Sequence, residues 1–109
     1  MKIRSANPTD ASQIVELNEV FVAVTSSMDA KRFLELFDLC SYCLVADDGQ
    51  RLLGFVIAMR NEAPYDNGNY QWFEKRVRNM VYVDRIVLAA DARGPVSYTH
   101  LTLPTNHPV

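Results

Sequence analysis

Tyr42-Cys43-Leu44-Val45-Ala46-Asp47-Asp48-Gly49-Gln50-Arg51-Leu52-Leu53-Gly54-Phe55-Val56-Ile57-Ala58-Met59 holds two apolar runs on either side of a short polar stretch. An Asp-Gly step tolerates the positive φ that a tight reversal needs, and both flanks are rich in residues that pack on a pleated surface. The segment reads as a β-hairpin, with one strand over 42–46, a turn over 47–50 and an antiparallel partner over 52–59. Gly54 lacks a side chain where strand packing calls for one, so it marks a bulge or a close approach of another backbone.

Toward the N-terminus, residues 2–6 are short and extended. Asn7-Pro8-Thr9-Asp10 then carries turn and N-cap chemistry ahead of a helix opened by Ala11-Ser12-Gln13. Ile14, Leu17, Val20 and Phe21 recur at helical spacing as its core stripe. A second helix follows Thr25-Ser26-Ser27; it places Phe33, Leu34, Phe37 and, at its margin, Cys40 toward the core, and leaves Asp29, Lys31, Arg32, Glu35 and Asp38 for water. Beyond the hairpin, residues 61–68 form a loop. Asn69 then caps a short helix carrying Tyr70, Trp72, Phe73 and Val77, and a fourth strand spans 80–88, apolar except for Asp84 and Arg85. This order predicts an α+β fold: an open, mainly antiparallel sheet in strand order, with two early helices over it and a helical insertion before the fourth strand.

The 109 residues, 49% apolar and 22% charged, make one soluble domain and leave no room for a second. A net charge of −2 without a block of like charges removes the electrostatic case for nucleic acid or an anionic membrane. No apolar run reaches the roughly 18 residues of a membrane span. Met1-Lys2-Ile3-Arg4 leads into polar residues rather than a signal core, so a cytoplasmic protein is expected.

The 11 basic and 13 acidic side chains all lie at or before Arg93, whereas residues 94–109 carry three of the five prolines and both histidines. Ser97-Tyr98-Thr99-His100-Leu101-Thr102-Leu103-Pro104-Thr105 resembles translated sequencing-adapter read-through. Residues 1–94 are therefore read as the domain. Residues 95–109 are read as a non-native or disordered tail that adds nothing to the core, and His100 and His107 are not candidate ligands.

The hairpin 46–55 and the strand exit Ile86-Val87-Leu88-Ala89-Ala90-Asp91-Ala92-Arg93-Gly94 resemble the N-terminal half of the GNAT N-acyltransferase superfamily. Tyr65-Asp66, Asn69-Tyr70-Gln71-Trp72-Phe73 and Tyr82-Val83-Asp84-Arg85-Ile86-Val87 are similar to one bacterial subgroup of it. The resemblance covers residues 2–94. It implies direct transfer of an acetyl group from acetyl-CoA to a small-molecule or peptide amine within a ternary complex, with a homodimer of the full-length protein left open.

In that superfamily a loop reading Arg/Gln-x-x-Gly-x-Gly/Ala cradles the CoA pyrophosphate, since backbone N–H groups at a helix N-terminus suit an anion. Arg93 and Gly94 stand at its first two positions. Pro95-Val96-Ser97 then departs from the pattern, so the expected protein is a truncated, inactive fragment that binds acetyl-CoA poorly. The family's carbonyl-polarising amides map onto Ile86, Val87 and Leu88. Tyr82 occupies its usual glutamate position, with wall packing as the favoured role. Asp84, two residues on and on the same face, is a general-base candidate, because a carboxylate partly buried in a cleft has its pKa raised toward neutrality. The alternative is a structural Asp84 that pairs with a neighbouring cation or caps a backbone group. Tyr65, Tyr70 and Trp72 lie where the superfamily builds part of its acceptor site and would line a pocket for an apolar or aromatic amine; the alternative is an insertion helix docking its own apolar side.

Cys40-Ser41-Tyr42-Cys43 has the spacing of a redox pair or half a zinc site. No second pair accompanies it, so buried packing is expected and no metal site is assigned. Two readings compete with the acyltransferase: a non-enzymatic α+β binding module, and a thiol oxidoreductase.

Overall fold

The hairpin is built as its sequence dictates. In the computed structural model, which describes residues 1–20 and 26–89, β2 (Tyr42–Asp47) and β3 (Leu52–Arg60) pair antiparallel around Gly49, at φ 96°. Asp47 and Asp48 side chains close the reversal by accepting the N–H groups of Gly49, Gln50 and Arg51 at 2.8–2.9 Å. β1 (Lys2–Ser5) joins β2, and β4 (Val81–Leu88) joins β3, both antiparallel, so the sheet runs β1-β2-β3-β4. Three helices complete the α+β fold: α1 (Ala11–Val20), α2 (Ala30–Leu39) and α3 (Gly68–Glu74), with a 3-10 turn over Pro8–Asp10 leading into α1.

Directly opposed residues share a face, which sorts the sheet into two sides. Val45, Phe55 and Val87 form one row; Cys43, Ile57 and Arg85 the next; Met59 and Tyr82 a third. These rows form the core floor, and Ile14 of α1 with Phe33 and Leu36 of α2, all fully buried, belong to the same cluster. Leu44, Val56 and Ile86 take the opposite face.

Two register shifts interrupt the pairing. Between Ala46 and Asp47, Leu53 is the extra residue of β3; between Ile57 and Ala58, Asp84 is the extra residue of β4. Gly54 both flanks the first bulge and meets a close approach, since a Cβ there would stand 2.6 Å from the Val87 carbonyl oxygen and 2.5 Å from Leu88 Cδ2.

Arg4 fastens the N-terminal strand. Its guanidinium donates to both oxygens of Asp10 at 2.9 and 3.0 Å and to Asp47 at 3.0 Å, while Asp10 also accepts the Asn7 N–H in a capping box. The Arg4 hydrogen bond holds the Asp10 carboxyl below the usual range; for Asp47 the Gly49 N–H is the larger cause and Arg4 the next. Gln13 of α1 accepts the Leu52 N–H at 2.9 Å, tying helix to hairpin.

Three local expectations are corrected. Val20 is 70% exposed, and α1 instead buries Asn18, one turn beyond Ile14. On α2, Leu34 is 40% exposed and Leu36 is fully buried. Asp29 caps this helix, and from that start the buried stripe runs Phe33, Leu36, Phe37, Cys40, at i, i+3, i+4 and i+7. Asn67 rather than Asn69 caps α3, accepting the Tyr70 N–H at 2.9 Å, and the helix stops at Glu74, short of Val77. No helix of the described residues is long and apolar enough to cross a membrane. Phe21, Arg93, Gly94 and residues 95–109 lie outside the described residues.

Candidate active site

The bulge in β4 assembles the site. In an unbroken strand Asp84 and Arg85 would point to opposite faces. With Asp84 as the extra residue, both turn to the helix-covered side, where Arg85 Nε donates to Asp84 Oδ2 at 2.7 Å and each side chain is 6% exposed. Arg85 Nη1 also donates to the Ser26 carbonyl at 2.9 Å and to Asn18 Oδ1 at 3.2 Å, and Asn18 Nδ2 donates to the same carbonyl at 2.8 Å. The buried guanidinium thus joins β4 to the end of α1 and to the segment before α2.

Asp84 Oδ1 accepts the Tyr65 hydroxyl at 2.5 Å. Tyr65 is brought there by a loop stitched at several points. Tyr70 of α3 donates its hydroxyl to the Arg60 carbonyl at 2.6 Å and accepts the Ala63 N–H at 3.0 Å. Asn61 accepts the Met80 N–H at 2.9 Å and donates to the Val77 carbonyl at 2.8 Å, which closes the insertion onto β4. The Tyr65 and Tyr70 rings lie 5.6 Å apart, and Tyr70 meets Tyr82 edge-on at 5.3 Å. Burial, and next the bond to Asp84, push the Tyr65 phenol above its ordinary range; burial raises Tyr70. Arg32 of α2 stands 5.9 Å from the Tyr65 ring centre.

Tyr65, Tyr70, Tyr82 and Asp84 therefore come together, and Tyr82 and Asp84 share a face as expected. Asn69 donates to the Tyr82 hydroxyl at 2.9 Å. Trp72 is not brought in: it is 51% exposed, packed edge-on against Phe73 at 4.9 Å, with the Arg76 guanidinium 4.1 Å over its ring. Beside Tyr65 and Tyr70 opens a cleft of about 450 Å³, which Glu62, Asp66, Glu74 and Lys75 also line. Three carboxylates against one ammonium give it an acidic wall beside the two tyrosines.

Along β4, the Ala89 N–H donates to the Leu53 carbonyl at 2.7 Å, which makes Leu88 and Gly54 a non-hydrogen-bonded pair. Alternation then turns the Val87 main chain toward β3 and that of Ile86 toward the outer side of β4. Arg85 and Asn18 are the participants that sequence reading missed. Their signals were two opposite charges side by side in an apolar strand, and an amide at i+4 from Ile14 on a core stripe. Among the described residues no group of three or more His, Cys, Asp or Glu stands together to hold a metal ion. No protein-family model matches the chain, and neither does any curated protein or solved structure.

Proposed function

We propose that residues 2–94 belong to a GNAT-type N-acyltransferase and carry its amine-acceptor side and thioester-binding strand, with acetyl-CoA as acyl donor. The observation that carries this reading is the bulge at Asp84. It puts a carboxylate and its phenol partner on one side of β4, while the Ile86 amide two residues on faces the outer side of the strand. The acidic cleft supports an amine acceptor, since Glu62, Asp66 and Glu74 draw in an ammonium group.

In the reaction a neutral amine attacks the thioester carbonyl, and the carbonyl oxygen gains charge as it becomes tetrahedral. An outward amide such as that of Ile86 stabilises that charge. Collapse of the tetrahedral carbon breaks the C–S bond and expels the CoA thiolate, which takes a proton from solvent, and the amine proton needs an acceptor. Each oxygen of Asp84 uses one lone pair on Arg85 or Tyr65 and keeps a second; Tyr65, which lines the cleft, stands between the amine and this buried carboxylate, so the proton passes to Asp84 by way of the phenol or a water. Arg85 and Tyr65 then act as positioning residues that fix the carboxylate's direction. Arg93 and Gly94 are assigned to the pyrophosphate cradle on the resemblance alone.

A second reading, a non-enzymatic α+β binding module, is favoured by the near-complete burial of the Asp84 side chain. The test compares acetyl-CoA titrations of this chain and of a chimera continued after Gly94 with a native Gly-x-Gly loop and acyltransferase C-terminal half. Binding by the chimera alone, with turnover of a polyamine that Asp84→Asn reduces more than acetyl-CoA affinity, supports the enzyme. Equal binding by both places the cofactor site within residues 1–94 and removes the loop assignment. A chimera that binds acetyl-CoA but turns over no amine favours the binding module.

A further inference from the structure

α2 ends and β2 begins around a two-residue corner, and the reversal brings two cysteines three positions apart together. Cys40 is the C-cap of α2, with its N–H donating to the Leu36 carbonyl at 2.8 Å and its Sγ 3.4 Å from the Phe37 carbonyl oxygen. Ser41 is held on two sides: its N–H donates to the Ala58 carbonyl at 2.9 Å, and its Oγ accepts the Arg60 N–H at 2.8 Å. Cys43 then faces inward from β2, opposite Ile57. Cys43 belongs to the buried core cluster and Cys40 packs against that cluster, so both side chains turn toward the same core. Both are free, Cys40 half-buried and Cys43 buried, so solvent reaches one member of the pair far more readily than the other. The acyl-transfer site uses neither.

We propose that Cys40 and Cys43 form a thiol–disulfide exchange site for small disulfides such as oxidised glutathione, with Cys40 attacking, Cys43 resolving, and an intramolecular disulfide across the α2–β2 corner as product. The Cys40 thiolate attacks one sulfur of the small disulfide, forming a mixed disulfide and expelling one small thiolate, which takes a proton from solvent. Cys43 gives up its proton to solvent and attacks Cys40 Sγ. The new protein S–S bond forms as the mixed S–S bond breaks and the second small thiolate leaves. The protein dithiol is oxidised by two electrons, and the small disulfide is reduced to two thiols.

The order of attack follows from the surroundings. The neighbouring Cys43 thiol holds the Cys40 thiol below its ordinary pKa, with burial opposing; Cys43 is pushed up by Cys40 and then by burial. α2 offers Cys40 its C-terminus, the negative end of the helix dipole, which does not stabilise a thiolate as an N-terminus would. A dithiol whose reduced form lacks that support yields a weakly oxidising disulfide. The site is therefore a lock on the corner rather than an oxidant of other proteins.

The test incubates the reduced full chain with oxidised glutathione at neutral pH, quenches with acid, and reads intact mass and free thiols. The expected product has lost both thiols and two hydrogens and carries no glutathione. Cys43→Ser should stop with one glutathione on Cys40, and Cys40→Ser should stay unmodified while folded. Phenylarsine oxide, whose arsenic bridges two neighbouring sulfurs, should label wild type one to one without any variant. A lasting glutathione adduct on wild type, two unreacted thiols, equal modification of the single variants, or no arsenical label overturns the proposal.

Discussion

Asp84 and Arg85 are consecutive on one β-strand, yet their side chains meet at 2.7 Å on the same face of the sheet. Buried at 6% exposure each, they form the kind of ion pair whose cost appears when one partner is removed. Arg85→Met should lower unfolding free energy by about 3–5 kcal/mol. Asp84→Ala combined with Arg85→Met should cost clearly less than the two single changes added together, because the double variant buries no unpaired charge. Urea unfolding of the four proteins measures the coupling; strict additivity would mean that the pair is not felt energetically.

The alkaline limb of stability belongs to the tyrosines. Tyr65 and Tyr70 hold their phenol protons more tightly folded than an exposed tyrosine, whose pKa is about 10. A raised folded pKa contributes stability in full below about pH 10, and that contribution is lost as pH climbs through the folded value. Phenolate absorbance should therefore show a late phase that coincides with loss of structure. Tyr65→Phe should remove part of that phase and flatten the decline; an unchanged late phase would deny Tyr65 its part in it.

The acid limb belongs to the Arg4 knot. Asp10 and Asp47 have lowered folded pKa values, so their contribution is present above the unfolded value of about 3.9 and is lost as pH falls below it. Asp10→Asn should lower the thermal midpoint at pH 7. The gap from wild type should close on acidification, as the wild-type carboxyl takes up its proton. A gap independent of pH would point to packing rather than charge.

α2 gives a sharp contrast between neighbours. Leu36→Ala removes a fully buried side chain and should cost about 2–5 kcal/mol, whereas Leu34→Ala, at a 40% exposed site, should fall within about 1 kcal/mol of wild type. Similar losses at both positions would mean that the helix buries a different stripe.

Gly54→Ala tests the β3–β4 contact. The added methyl would stand 2.6 Å from the Val87 carbonyl oxygen, a backbone atom that cannot swing aside, so β3 and β4 must part locally. A loss of about 1–3 kcal/mol is expected from overpacking, measured by chemical denaturation, and an unaffected midpoint would contradict the close approach.

The hairpin, the helices and the order of strands were legible because their signals are local: alternation, helical spacing and an Asp-Gly turn. The bulge was not, because an extra residue shows only when β4 is counted against β3, and the run from Met80 to Leu88 reads as continuous. Leu34 and Leu36 are told apart only by where α2 starts, which Asp29 fixes as its cap; the chain around Gly68 likewise offers Asn67 and Asn69 as caps, and Tyr82 engages the second. The site was legible as a group of tyrosines beside Asp84. Its link through Arg85 to Asn18 and Ser26 is a tertiary contact across 59 to 67 positions, which no local pattern announces.

A deletion of one residue usually ruins a strand, since every side chain beyond the cut trades inside for outside. At Asp84 the rule reverses. Val83 opposes Ala58 and Arg85 opposes Ile57, so removing Asp84 would join two neighbours already in phase and leave Tyr82, Arg85, Ile86 and Val87 on their present sides. β4 pairs well enough without this position. The sheet has no use for Asp84 as a spacer, and the loss would be the carboxylate itself together with its hold on Tyr65 and Arg85.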